Sequence, residues 1–175
     1  MQLSLVLTFL LTLATQTFAQ TPQPIVSEFT QFIPYPREKL YAIVADVQNH
    51  PKLLRNVKGR IVVPRSNLTA EAIAENEVIA MSFVFEPSNR LAIARFKYFP
   101  PSRIDEEMVT NPFDDVGILD RKKGKVSYLF EEAPGGTKFT ARSEFYPSTG
   151  RLYNRDWIDG IWRDFIRNLE REASK

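Results

Sequence analysis

The chain opens its ordered-looking part with IVSEFTQFI, Ile25 to Ile33, a run of β-branched and aromatic residues that predicts a first strand. Tyr35-Pro36 ends it, and Pro36 suits the first turn of a helix, where the amide that proline lacks would be unpaired anyway. Leu40, Ile43, Val44 and Val47 then recur at helical spacing, so an amphipathic helix is expected from about Pro36 to Val47. A residue preceding proline is steered away from helical backbone angles. Asn49-His50-Pro51 is therefore expected to break the helix, with Lys52 to Arg55 forming one more short turn.

Downstream the period changes to two. Val57 to Val63 predicts a strand, and VIAMSFVFE, Val78 to Glu86, places Ile79, Met81, Phe83 and Phe85 on one face. Between them NLTAEAIAEN fits a loop or a short strand equally. LAIARFKYF, Leu91 to Phe99, follows a turn at Pro87-Ser88-Asn89. SRIDEEMVT is a charged candidate for an outer strand, with Asp105 to Glu107 on its wet face and edge, where charge discourages pairing with another chain. Lys125 to Glu132 and Thr137 to Tyr146 flank Pro134-Gly135-Gly136 and predict a hairpin.

The tail carries the clearest pattern. Trp157, Ile158, Ile161, Trp162, Phe165, Ile166 and Leu169 form one apolar stripe, while Arg155, Asp159, Arg163, Asp164, Arg167 and Glu170 take the other positions. This predicts a helix of about twenty residues with a strongly apolar face. Gly160 weakens it by about 1 kcal/mol relative to alanine and permits close approach of a bulky neighbour. The order of elements gives an α+β fold in which a curved antiparallel sheet wraps around the long C-terminal helix. Two indoles and several branched side chains exceed what a flat sheet needs, which predicts a deep groove. Side chains fill that groove, or a ligand does.

Composition narrows the setting. MQLSLVLTFLLTLATQTFAQ has an apolar run, Leu3 to Ala14, of the length of a secretory h-region, and Thr17-Phe18-Ala19 ends in small residues suited to cleavage. No Lys or Arg precedes the run, so the segment is read as a signal peptide at 1–19 or as an uncleaved anchor, followed by a polar linker at 20–24 and one domain at 25–172. A secreted or periplasmic location follows. Cysteine is absent, which excludes disulfides, thiolate catalysis and a lipid-modified cysteine. With 23 basic and 21 acidic residues intermixed, there is no basic stripe and no case for nucleic acid.

The stretch PREKLYAIVADVQNHPKLLRNV resembles the START-like, or SRPBCC, superfamily, whose first helix ends in Asp-Val-x-x-x-Pro; here these are Asp46, Val47 and Pro51. GGTKFTARSEFYP and the terminal helix extend the resemblance over most of the domain, whereas Asn67 to Asn76 and Pro100 to Gly124 depart from it. That superfamily has the helix-grip fold and includes polyketide cyclases, coenzyme Q-binding proteins and lipid-transfer domains. The resemblance implies that Asp46 to Pro51 is a structural corner. Asp46 would accept hydrogen bonds from loop amides, Pro51 would fix the exit of the chain, and His50 would sit in the loop with no Ser or Cys nucleophile nearby.

For chemistry, one histidine and no cysteine leave no metal constellation, and Asp114-Asp115 with Asp120 lacks calcium-loop spacing. Polar residues within apolar strands are Ser82, Arg95, Tyr128 and Ser143. Arg95 either points inward, where it must meet an anion, or outward into solvent. The aromatics Phe83, Phe85, Phe96, Tyr98, Phe130, Phe145, Trp157 and Trp162 each read more readily as core than as ligand contacts, and together they also suit the lining of an apolar pocket. The candidate ligand-binding set is Phe83, Phe85, Arg95, Tyr98, Tyr128, Phe130, Trp157 and Trp162, an apolar lining with few polar groups. The loop KYFPPSR is a candidate pocket mouth or membrane contact, and Asn67-Leu68-Thr69 fits a glycosylation acceptor. The expected function is the binding of a hydrophobic or amphipathic small molecule (a lipid, quinone or aromatic compound) without a cofactor, since no catalytic constellation stands out. An enzyme of cyclase or hydrolase type, and an envelope protein-interaction domain with a filled core, are the alternatives.

Overall fold

In the structure, a computed structural model, residues 24–64, 74–84, 90–109, 119–147 and 155–175 are described. The expected signal segment, all but the last residue of the expected linker, the Asn67 acceptor pattern and Asp114-Asp115 lie outside the described residues.

The elements are β1 (Ile25–Ile33), α1 (Arg37–Ala45), a 3-10 turn (Val47–Asn49), α2 (His50–Leu53), β2 (Val57–Val62), β3 (Glu77–Val84), β4 (Arg90–Phe99), β5 (Arg103–Val109), β6 (Leu119–Ala133), β7 (Gly136–Pro147) and α3 (Arg155–Ala173). The strands form one seven-stranded sheet in the order β1-β7-β6-β5-β4-β3-β2. Every neighbouring pair is antiparallel. Register shifts at Val57/Gly59 in β2 and at Asp120/Lys125 in β6 mark bulges, which bend strands and increase their twist. The edges of the sheet are β1 and β2. The charged strand β5, expected at an edge, instead lies between β4 and β6, so one face of it must be buried whatever its composition.

The corner after α1 is tighter than a simple break. Asp46 caps α1 through its amide to the Ala42 carbonyl, and its carboxylate accepts from the Asn49 side-chain amide. His50, expected in a loop, is the first residue of α2 and fully buried, with Pro51 just inside the helix where its missing amide does no harm.

At the β6–β7 hairpin Gly135 has φ 79°, a left-handed conformation that costs little only without a Cβ. Gly136 is constrained by space: a Cβ there would run into the Ile33 carbonyl and the Pro34 backbone. Gly136→Ala is therefore expected to destabilise the fold by about 1–3 kcal/mol, as overpacking against backbone does, read as a lowered urea midpoint with unchanged slope.

The terminal helix lies on the concave face. Ile158, Ile161, Trp162, Phe165, Ile166, Leu169 and Ala173 are buried, and the Phe165 ring stacks on Tyr128 at 5.5 Å and on Phe139 at 5.8 Å. Polar ties fix its rotation: Ser27 Oγ donates to Asp159 Oδ1 (2.7 Å), Gln31 Nε2 to Glu170 Oε1 (3.0 Å) and Trp162 Nε1 to Ser143 Oγ (3.3 Å). Together these elements make the helix-grip arrangement.

Candidate functional site

Alternation along β3 and β4 turns short side chains towards α3. Ser82, Ala92 and Ala94 face inward opposite Ile158, Ile161 and Trp162, and the sheet and helix cannot close over side chains this small. A partly open cavity of about 120 Å³ remains, walled mainly by Leu54, Val57, Met108, Val126 and Phe145 in addition to those residues.

One wall is not apolar. Arg60 of β2 reaches across the concave face, its guanidinium 4.8 Å from the centre of the Phe96 ring. Each of its nitrogens has a partner: Nε donates to Ser82 Oγ (2.6 Å), Nη1 to His50 Nδ1 (2.6 Å) and Nη2 to Glu106 Oε1 (3.0 Å). The other oxygen of Glu106 accepts from the Tyr128 hydroxyl at 3.0 Å. The side chains of Arg60 and Glu106 are each only 3% exposed, so this ion pair is desolvated and depends on its hydrogen bonds to persist. Its net charge is zero.

His50 closes the cluster. Its Nε2 lies 2.7 Å from the Val44 carbonyl, which can only accept, so Nε2 carries the proton and Nδ1 receives the Arg60 N–H. Burial and the adjacent guanidinium lower its pKa from 6.5 to about 3, and the imidazole is neutral at ordinary pH. Tyr128 is shifted the other way: burial, then the Glu106 carboxylate, raise its phenol well above 10. What this wall offers a ligand is a set of fixed dipoles around an internally matched ion pair.

Two of the expected ligand-binding residues, Tyr128 and Trp162, line the cavity. Phe130 is core instead, edge-on to Tyr41 and tilted against Phe139. Tyr98 is half-buried and donates to the Ala45 carbonyl (3.3 Å), bracing the end of α1. Arg95 does not join the site. It stands on the opposite face of β4 from Ala94, in register with Ile79 and Glu107, because the pleat that turns the alanines inward turns it out. Phe83 pairs through its backbone with Leu91, and Trp157 lies in the first turn of α3; their side chains, and Phe85 altogether, are outside the described residues. The Phe99-Pro100-Pro101 tip is at the far end of β4 from the cavity-lining Ala92, and its phenyl ring stacks under Arg103 (4.1 Å).

Arg60, Glu106 and His50 were not singled out by the sequence as a site. The available signal was an arginine in the β-branched run VKGRIV and a glutamate at an inward position of β5, but their meeting depends on the strand order. Among the described residues no group of three or more His, Asp or Glu side chains could hold a metal ion.

Residues 33–119 match the family model described as polyketide cyclase/dehydrase and lipid transport. Comparison with curated proteins gives no match. Among solved structures, the di-domain ARO/CYC StfQ from the steffimycin biosynthetic pathway superposes with a TM-score of 0.69 at 13% identity over 87% of this chain and 51% of that one. This chain thus spans about half the length of that protein. The Zhui aromatase/cyclase from Streptomyces sp. R1128 gives 0.64 at 10% identity, covering 86% of this chain and 94% of its own. A START superfamily protein from Mycobacterium smegmatis gives 0.62 at 12%, covering 85% and 97%. At such identities the superpositions show the fold alone: this chain has the helix-grip fold of these structures, and its residues 33–119 are similar to the polyketide cyclase/dehydrase and lipid transport family.

Proposed function

We propose that this protein binds a hydrophobic or amphipathic small molecule, such as a lipid, quinone or aromatic compound, with one end held between the sheet and α3. The observation that carries this reading is the cavity beneath Ile158, Ile161 and Trp162. An apolar cavity of about 150 Å³ holds benzene, so a space of about 120 Å³ suits one ring or a branched alkyl end. The rest of a longer ligand would extend through the opening. Apolar burial would drive binding, at about 25 cal/mol per Å² removed from water. A leader at 1–19 would place this activity outside the cytoplasm, and a mature amino terminus at Gln20 is the corresponding expectation from N-terminal sequencing.

A cyclase- or dehydrase-type activity is the second reading, favoured by the presence of Tyr128 and Glu106 in the cavity wall. Binding is preferred because these groups are committed to one another. Both Glu106 oxygens already accept, and the Tyr128 proton is held by Glu106 and by a pKa well above 10. General acid–base work calls for a group poised near the working pH.

Native mass spectrometry of protein from its own host should show a co-purified apolar molecule. In addition, benzene at ten times its Kd is expected to stabilise the protein by about 1.4 kcal/mol, a rise in Tm of roughly 3–6 °C. Ala92→Leu, which fills the cavity, should abolish that rise. An equal rise in the filled variant, or no binding at all, would overturn the proposal.

A further inference from the structure

β6 turns Val126, Tyr128 and Phe130 inward, all of them buried, and the same parity brings Gly124 to that side of the strand. A Cβ on Gly124 would lie 2.9 and 3.1 Å from the edge of the Phe145 ring and 3.2 Å from Met108 Cγ, closer than such atoms pack. Backbone conformation does not call for the glycine, since among the described glycines only Gly135 has a positive φ. Space does. A glycine inside a strand often marks the close approach of another group, and here the approaching groups are two side chains that wall the cavity. Gly136 differs, because what crowds it is mainly fixed backbone.

We infer that Gly124 is a positioning residue of the cavity: lacking a side chain, it lets Phe145 and Met108 lean against β6, and this sets the width of ligand that fits beneath α3. The inference rests on the binding function proposed above. Phe145 pairs with Ile25 of β1, and its neighbour Glu144 pairs with Lys125 of β6, so the backbone is held and the ring is what can yield. Interiors are close-packed, and a ring pushed off Gly124 turns into the adjacent open space. That space is the cavity of about 120 Å³, small enough that one displaced ring edge excludes an aromatic ligand. The ligand class that follows is a single slim ring or an alkyl end of the same width. A ring carrying substituents on several sides is rejected.

The probes are benzene and mesitylene, whose methyl groups widen the same ring, each titrated calorimetrically into the full chain. The parent is expected to prefer benzene by about tenfold, since overfilling a packed wall is unfavourable. Gly124→Ala should bind benzene about tenfold more weakly than the parent. Adding Phe145→Leu to Gly124→Ala should return benzene to within about threefold of the parent, because the shorter side chain clears the new methyl. A general loss of structure would not be rescued in this way. Phe145→Leu alone should raise the affinity for mesitylene relative to benzene about tenfold, and it carries the test should Gly124→Ala not fold. Unchanged benzene affinity in Gly124→Ala, a loss that Phe145→Leu does not recover, a parent that favours mesitylene, or an unchanged ratio in Phe145→Leu would each overturn the inference while leaving the binding function intact. Failure of both probes to bind the parent would remove both.

Discussion

Arg60→Met is expected to destabilise the folded protein by about 3–5 kcal/mol, the usual consequence of removing one partner of a buried ion pair. Total stabilities of domains run to only about 5–15 kcal/mol, so the variant should sit near the threshold of folding. The loss does not come from missing attraction alone. Glu106 would stay inside a 3%-exposed site with its charge unmatched, and Ser82 Oγ and His50 Nδ1 would each lose a donor. Removing both charges together is the informative control. Arg60→Met combined with Glu106→Leu should recover the part of the loss due to the unmatched charge, leaving the Tyr128 hydroxyl without an acceptor and Ser82 Oγ and His50 Nδ1 without their donor. Urea denaturation of the two variants and the parent gives the comparison. A single variant within about 1 kcal/mol of the parent would mean that the guanidinium is effectively solvated and the cluster is not sealed.

Acid should weaken the protein before most carboxylates titrate. In the fold His50 resists protonation down to about 3, whereas in the unfolded chain its value returns to the ordinary 6.5. Between those values the unfolded chain binds more protons, so stability rises with pH. The contribution is complete above 6.5 and is lost as pH falls towards 3. At about 1.4 kcal/mol per unit, roughly 2 kcal/mol should disappear between pH 6.5 and 5. His50→Gln tests the assignment, because a glutamine amide can donate towards the Val44 carbonyl and accept from Arg60 yet cannot take up a proton. Urea midpoints across this interval should slope in the parent and stay flat in the variant. A parallel slope in both would assign the acid sensitivity elsewhere.

The cluster behind these predictions was the part that spacing alone could not reveal. Helical periodicity is local, so the stripe from Ile158 to Leu169 and the first helix were readable directly, as was the hairpin around Gly135. Strand alternation is also local, but it does not say which face turns inward. In VIAMSFVFE the parity that begins at Ile79 and Met81 is the more apolar, yet the inward set contains Ala80 and Ser82, because the concave side is already crowded by Phe96 and Tyr128 and by the helix. The sequence shows even less of strand order. Glu106 reads as a wet edge residue until β5 is seen between β4 and β6, and its partner Arg60 comes from an edge strand 46 residues away. His50 posed the same problem. A proline-flanked histidine at the end of a helix looks like a turn, and only the arrival of β2 beneath it makes it a buried acceptor.

The sheet ends at Pro147, and the helix that covers its hollow comes after it, at Arg155–Ala173. Synthesis runs from the amino end and chains begin folding as they emerge. While Arg155 to Ala173 is still within the ribosome, the sides of Tyr128 and Phe139 that Phe165 later stacks on therefore face water. A nascent chain paused there is a natural client for a chaperone.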